Sequence, residues 1–181
     1  MAKLVSTTYG EALFELAVEE GKEDELLKEI TAVMEILSEN PDFSKLMNHP
    51  KILKEEKLEV LENVFKGRVS DELLGFLNLV ITKGRYGEID EILDFFILQV
   101  KSLKGIGIAT VTTPSPLSDS QKKAIESKLT ATTTYKTMEM HYEIDESLIG
   151  GMVIKIGDRV VDSSVRTKLD KLQRELLQLQ V

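Results

Sequence analysis

The sequence predicts an α+β protein: an N-terminal six-helix bundle followed by a small α/β domain with a short sheet and a terminal helix. Three observations predict it. Over residues 1–104 apolar side chains recur at helical spacing between breakers, beyond Gly105 they alternate at strand spacing, and the last stretch returns to helical spacing. Two modules, 1–104 and 105–181, joined at Gly105-Ile106-Gly107 as a flexible joint, are the simplest parse.

In the first module Thr7 or Thr8 is placed to cap a helix that runs to Glu20 and stops at Gly21. The next, Glu23 to Asn40, gathers Leu26, Leu27, Ile30, Val33, Met34 and Leu37 on one stripe. It ends at Asn40-Pro41, because a residue before proline is pushed out of the α region. A short helical turn, Asp42 to Met47, closes at Asn48-His49-Pro50. A fourth helix covers Leu53 to Phe65 and stops near Gly67, Ser70 caps a fifth that ends at Lys83-Gly84, and a sixth spans Glu88 to Leu103. Short connections between amphipathic helices predict a compact bundle.

The second module opens with a strand over Ile108 to Thr112, broken by Thr113-Pro114-Ser115-Pro116. Ser118-Asp119-Ser120-Gln121 is a capping box, serine at the cap and glutamine three residues on, and starts a helix reaching about Leu129. From Lys136 to Ile144, Met138, Met140, Tyr142 and Ile144 face one way, with Thr137, Glu139, His141 and Glu143 opposite, which is a half-buried strand. Met152, Ile154 and Ile156 repeat the pattern, and Gly157-Asp158 turns it into Arg159 to Val161. Asp162, Ser163 or Ser164 caps the last helix, whose Val165, Leu169, Leu172, Leu176 and Leu179 are spaced 4, 3, 4, 3. A stripe of that width is expected to dock on its own sheet, in preference to a coiled-coil seam, leaving Leu177 and Val181 off the stripe for a partner.

Charge narrows the function. Residues 1–104 carry 13 Lys/Arg against 21 Asp/Glu, so the whole net charge of −8 sits there, and 105–181 balances at 10 of each. An acidic surface repels phosphate backbones, so nucleic-acid binding is not expected. Without cysteine there is no disulfide or thiolate chemistry. The longest uncharged apolar run, Leu73 to Thr82, is too short to cross a bilayer, and no secretory or transit leader is expected.

No catalytic constellation is found. Gly150-Gly151 lacks a following Gly-Lys-Ser/Thr, and Gly105-x-Gly107 has no third glycine opening a helix, so neither phosphate loop is present. Gly150, Gly151 and Gly157 are read as turn residues with positive backbone dihedrals. His49 and His141 belong to no ligand pattern, so no metal and no cofactor are expected. Ser163-Ser164 lacks a nucleophile elbow.

What stands out instead is apolar excess. In the first helix Tyr9, Ala12, Leu13, Phe14, Leu16, Ala17 and Val18 cover an arc far wider than a core-facing stripe needs, and the fifth is uncharged from Leu73 to Thr82. Such helices are either central to the bundle or covered by another chain, and for the pair a helix-in-groove partner is favoured.

The block Met138-x-Met140-x-x-x-Ile144-Asp145-x-x-Leu148-x-Gly150-Gly151-Met152-x-Ile154-Lys155-x-Gly157, continuing through Asp158-Arg159-Val160-Val161-Asp162-Ser163-Ser164-Val165 and Lys168-Leu169, resembles the signature of the ATP synthase delta subunit family. Tyr9-Gly10-Glu11-Ala12-Leu13-Phe14-Glu15-Leu16-Ala17 looks like that family's opening helix, and Asn48-His49-Pro50 like its mid-bundle turn. The resemblance, which extends to the mitochondrial oligomycin-sensitivity-conferring protein, implies a non-catalytic stator subunit of a proton-translocating F-type ATP synthase. It implies one copy per complex, peripheral on the cytoplasmic face of a bacterial membrane without inserting into it. The bundle would bind N-terminal helices of alpha subunits, with Tyr9, Ala12, Leu13, Leu16, Leu77, Asn78 and Ile81 lining the groove. The second domain would hold the C-terminal ends of the b subunit, with Leu177 and Val181 near that contact. The alternatives are a helical adaptor for RNA or transcription factors, which the acidic bundle disfavours, and a small hydrolase, for which no residue set offers a site.

Overall fold

A computed structural model describes residues 2–178, and the chain divides into two compact units, Met1–Val100 and Lys101–Val181. In the first unit α1 (Ala2–Glu20) begins earlier than the threonines suggested, and Gly21 ends it at φ +65°. Then follow α2 (Glu23–Glu39), α3 (Pro41–Asn48), α4 (Lys54–Phe65), α5 (Asp71–Thr82), a 3-10 turn at Tyr86–Glu88 and α6 (Ile89–Leu103), whose last residues belong to the second unit. Proline at the first position of α3 costs that helix no hydrogen bond and presets its φ.

One core joins these helices. Leu13 and Ala17 of α1 meet Leu26, Ile30, Val33 and Leu37 of α2, the stripe the spacing predicts, with Leu27 and Met34 half-buried beside it. From α6 come Ile92, Leu93, Phe96 and Val100, all wholly enclosed. Gly10 of α1 is small for a reason: a Cβ there would lie 2.5 Å from the Phe95 ring of α6. Phe43 of α3 packs edge-on against Phe65 of α4 and against Tyr86, which ties the 3-10 turn into the core.

The second unit is a four-stranded sheet in the order β2-β1-β3-β4, from β1 (Ile106–Thr113), β2 (Thr137–Ile144), β3 (Val153–Ile156) and β4 (Arg159–Asp162). β1 and β2 are parallel, connected through α7 (Asp119–Thr132), and the other pairs are antiparallel. The predicted capping box is formed: Ser118 Oγ accepts from Gln121 N, and Gln121 Oε1 accepts from Ser118 N. Ser164 caps α8 (Val165–Gln178), its Oγ accepting from Thr167 N at 3.2 Å, while Asp162 accepts from Ser164 N and Thr167 Oγ1.

Three readings are corrected here. The glycine joint is not a free linker, since Ile106 and Gly107 are the first residues of β1 and Gly105 O accepts from Lys136 N. Gly107 is buried because a Cβ would stand 2.6 Å from both Met138 Sδ and the Tyr135 ring. Gly150 has no positive φ; that conformation falls on Ile149 (φ +65°), with Gly151 and Gly157 positive as read. Gly150 instead makes room for Val165, whose Cγ2 would be 3.0 Å from a Cβ and whose N–H donates to Gly150 O. Finally, α8 does not lay its stripe on the sheet. Only Val165 is half-buried, while Leu169, Leu172 and Leu176 are 51%, 54% and 64% exposed. Leu179, the end of that stripe, lies outside the described residues.

Gly107→Val is expected to lower unfolding free energy by roughly 1–3 kcal/mol through overpacking. Gly75→Ala, on α5 where a Cβ meets nothing, should raise it by about 0.5–1 kcal/mol. Urea unfolding of both variants checks the pair.

Candidate partner-binding surfaces

α5 carries its only charges, Asp71 and Glu72, in the first turn, where they suit the helix dipole. Leu73, Phe76, Leu77, Val80 and Ile81 form its buried face. The opposite side, at 3.6-residue spacing, is Leu74, Gly75, Asn78, Leu79 and Thr82: uncharged, with Gly75 open to space and Leu79 44% exposed. Asn78 Oδ1 is buried yet accepts no hydrogen bond among the described residues. An orphaned acceptor of that kind costs about 1–3 kcal/mol.

On α1 the buried line is Ser6, Gly10, Leu13 and Ala17. Half-buried Val5, Tyr9 and Leu16 with exposed Ala12 flank it on one side, and half-buried Phe14 with Val18, 42% exposed, on the other. Glu11, Glu15 and Glu19 occupy the remaining strip.

The predicted groove residues therefore separate. Leu13, Leu77 and Ile81 are corrected to core positions, 1%, 3% and 3% exposed, because this chain's own helices already enclose them. Tyr9, Leu16 and Asn78 are half-buried and Ala12 is exposed, so these four retain surface. The reading missed Gly75 and Leu79. Both stand in the uncharged run, but spacing alone does not say which arc of an all-apolar helix points inward.

Two polar ties hold the start of α5. Glu29 of α2 accepts from both the N–H and Oγ of Ser70, at 3.0 and 2.7 Å, and Ser70 Oγ in turn caps Leu73 N. Lys22, just past α1, pairs with Glu72 and with Glu20 at 3.1 Å. The hydrogen bond from Lys22 draws Glu72 below the usual carboxylate range, and the same bond holds the Lys22 ammonium well above its usual range.

In the second unit the exposed large apolar residues among those described are Leu103 at the end of α6, those of α8, Leu177 included, and Ile144, Ile149, Val160 and Val161 on the sheet and its turns. Val181 lies outside the described residues. Among the described residues no helix is long and apolar enough to cross a membrane, and no cluster of His, Asp and Glu is arranged to hold a metal ion.

Sequence comparison places the chain in a family. The family model described as ATP synthase delta (OSCP) subunit matches residues 5–176. The chain belongs to the ATP synthase delta (OSCP) subunit family. It is thereby a peripheral-stalk component of the F-type ATP synthase, and nothing in the comparisons supports an RNA or transcription adaptor. The ATP synthase subunit delta of Lachnoclostridium phytofermentans is 51% identical over the full length of both chains. That of Brevibacillus brevis is 34% identical over 94% of this chain and 97% of its own. Among solved structures, a chain of the Toxoplasma gondii mitochondrial ATP synthase hexamer superposes with a TM-score of 0.77 at 23% identity, covering 95% of this chain and 97% of that one, which establishes the shared fold.

The Lys22–Glu72 pair gives this delta-family bundle a pH signature. Because Glu72 is depressed in the folded state, its contribution is present above the carboxylate range of the unfolded chain and is lost as pH falls through its lower folded value. Glu72→Gln should therefore melt below the parent at neutral pH, and the gap should close at acid pH. Paired thermal melts from pH 7 downward check this.

Proposed function

We propose that the helical unit binds an amphipathic N-terminal helix of an alpha subunit on the outward faces of α1 and α5. The single observation that carries this is the uncharged outer side of α5, where Gly75, Leu79 and Thr82 are exposed and half-buried Leu74 and Asn78 form the border with the core. Gly75 lets a partner backbone approach closely. Tyr9, Ala12 and Leu16 of α1 add the apolar flank. The charge of the first module, −8, sets the expected ligand as a helix with basic residues at its rim.

The second unit, by the same reading, takes the C-terminal end of a b subunit on α8, where Leu169, Leu172, Leu176 and Leu177 stand in water without a partner among the described residues. A chain that grips the catalytic hexamer with one unit and the stalk with the other acts mechanically. Held at the cytoplasmic face of the membrane, it would keep the hexamer from turning with the rotor, and it would need neither cofactor nor catalytic group.

Titration of the full chain with a synthetic alpha N-terminal helix peptide tests the first contact. Micromolar binding is expected, weakened roughly tenfold or more by Leu79→Glu or Gly75→Trp. Neither variant should disturb folding, since both positions face outward, and absence of parent binding at micromolar peptide would overturn the reading. For the second contact, Leu172→Asp should leave the melting temperature of the isolated chain within error while abolishing co-purification with the b subunit; a large loss of stability would mean that α8 serves the fold instead.

A further inference from the structure

β2 is an edge strand with eight residues and, among the described residues, no strand neighbour on its outer side. Its pairing with β1 is bracketed by Thr137 N–H on Gly105 O at 3.4 Å and Asp145 N–H on Thr113 O at 2.9 Å. In a parallel ladder the N–H and C=O of one residue point to the same side and alternate along the strand. The odd-numbered residues from Thr137 to Asp145 thus turn their backbone groups to β1, and Met138, Met140, Tyr142 and Ile144 turn theirs outward. Long edges of this kind are ordinarily shortened, bulged, interrupted by proline or lined with charge, and of these β2 has only the carboxylates of Glu139 and Glu143, both on one face.

The two faces flanking this edge differ. On one side α7 and β2 enclose an open groove of about 430 Å³ with Met138, Met140 and Tyr142 at its base and Lys122, Lys123 and Glu126 along α7. Lys122 Nζ lies over the Tyr142 ring at 5.2 Å, so its stem lines the groove. On the other side the row is Thr137, Glu139, His141 and Glu143, aligned by the register with Ile106, Ile108, Thr110 and Thr112. Lys101 pairs with Glu139 at 2.6 Å, and Glu143 makes no ion pair among the described residues.

We propose that the free edge of β2 accepts an extended segment of a partner polypeptide, adding a fifth strand to the sheet. Its alternate aliphatic side chains enter the α7–β2 groove, and the intervening basic ones lie over His141 and Glu143. Main-chain hydrogen bonds to Met138, Met140, Tyr142 and Ile144 supply affinity, and the groove and the acidic row supply direction and register. A second copy of this chain fits poorly, because antiparallel pairing centred on His141 sets Glu139 against Glu143 twice on one face. This site is separate from α8 and from the surface of α1 and α5, and it stands whether or not those bind as proposed above.

The test uses the full chain and an eight-residue probe peptide of alternating lysine and valine, with amide exchange and chemical shifts read residue by residue at low salt. Saturating peptide should slow exchange at Met138, Met140, Tyr142 and Ile144 by roughly tenfold or more, with little change at the odd-numbered amides already bonded to β1. The same peptide N-methylated at the residues that face the edge keeps its charge and should bind roughly tenfold more weakly or not at all. Met140→Pro removes an outward N–H and no ladder bond, and should weaken the parent peptide to the same degree; if that variant fails to fold, the N-methylated peptide still decides. Equal binding of the N-methylated peptide, protection that does not alternate along β2, no binding at millimolar peptide, or concentration-dependent protection of the same amides without peptide would each overturn the proposal, the last in favour of self-pairing.

Discussion

The bundle depends on how α5 spends its one buried face. Leu73, Phe76, Leu77, Val80 and Ile81 each go from water to full enclosure, at about 1.5–3 kcal/mol apiece for side chains of that size. A helix of twelve residues has only enough circumference for one such face, so Leu74, Gly75, Asn78, Leu79 and Thr82 fall outside of necessity. Nothing in folding of the isolated chain requires those outer positions to be uncharged. That they are uncharged, in a unit with an excess of acid, is what the proposed partner helix would account for.

The same constraint accounts for the polar ties at the head of α5. Apolar contacts are non-directional, so a helix this apolar also draws its axial register from polar groups. Glu29 bonded twice to Ser70, and Lys22 bridging to Glu72, fix its start to α2 and to the end of α1. Their net stabilisation is small for groups so close to water. Their value is geometric, because only one axial position satisfies both, and that position places Gly75 and Asn78 outward.

Elements set by local chemistry were legible in the sequence, and those set by distant atoms were not. Ser118 and Gln121 satisfy each other's backbone groups within one turn, so four residues suffice to read that helix start. The β2 face was legible because a period of two admits one division into faces. Gly107 reads as a joint because a glycine that yields to Tyr135 and Met138, residues about thirty positions away, is written identically to a glycine that bends. Gly150 failed for the same reason, with Val165 as the distant atom. For α8 the spacing measured the width of the apolar stripe correctly but carried no information on what would cover it. On α1 and α5 an arc apolar nearly all round hides which residues the chain keeps for itself: Leu13, Leu77 and Ile81 belong to the core, while Gly75 and Leu79 stand exposed.

The two units also differ in what they leave unsatisfied, and this decides what kind of chain each can receive. In the bundle every helix bonds its own backbone along most of its length, so an incoming chain meets side chains alone and gains most by presenting a matching ridge, which is what a helix does. The sheet unit exposes apolar side chains on α8 and, along β2, carries a row of backbone donors and acceptors turned away from β1. A helical partner already has its main-chain groups paired and cannot answer that row, whereas an extended one answers it completely. At the proposed β2 edge, an extended chain and a helical one would thus be told apart by backbone hydrogen bonding before any side chain is compared, whereas α8 and the bundle offer side chains alone.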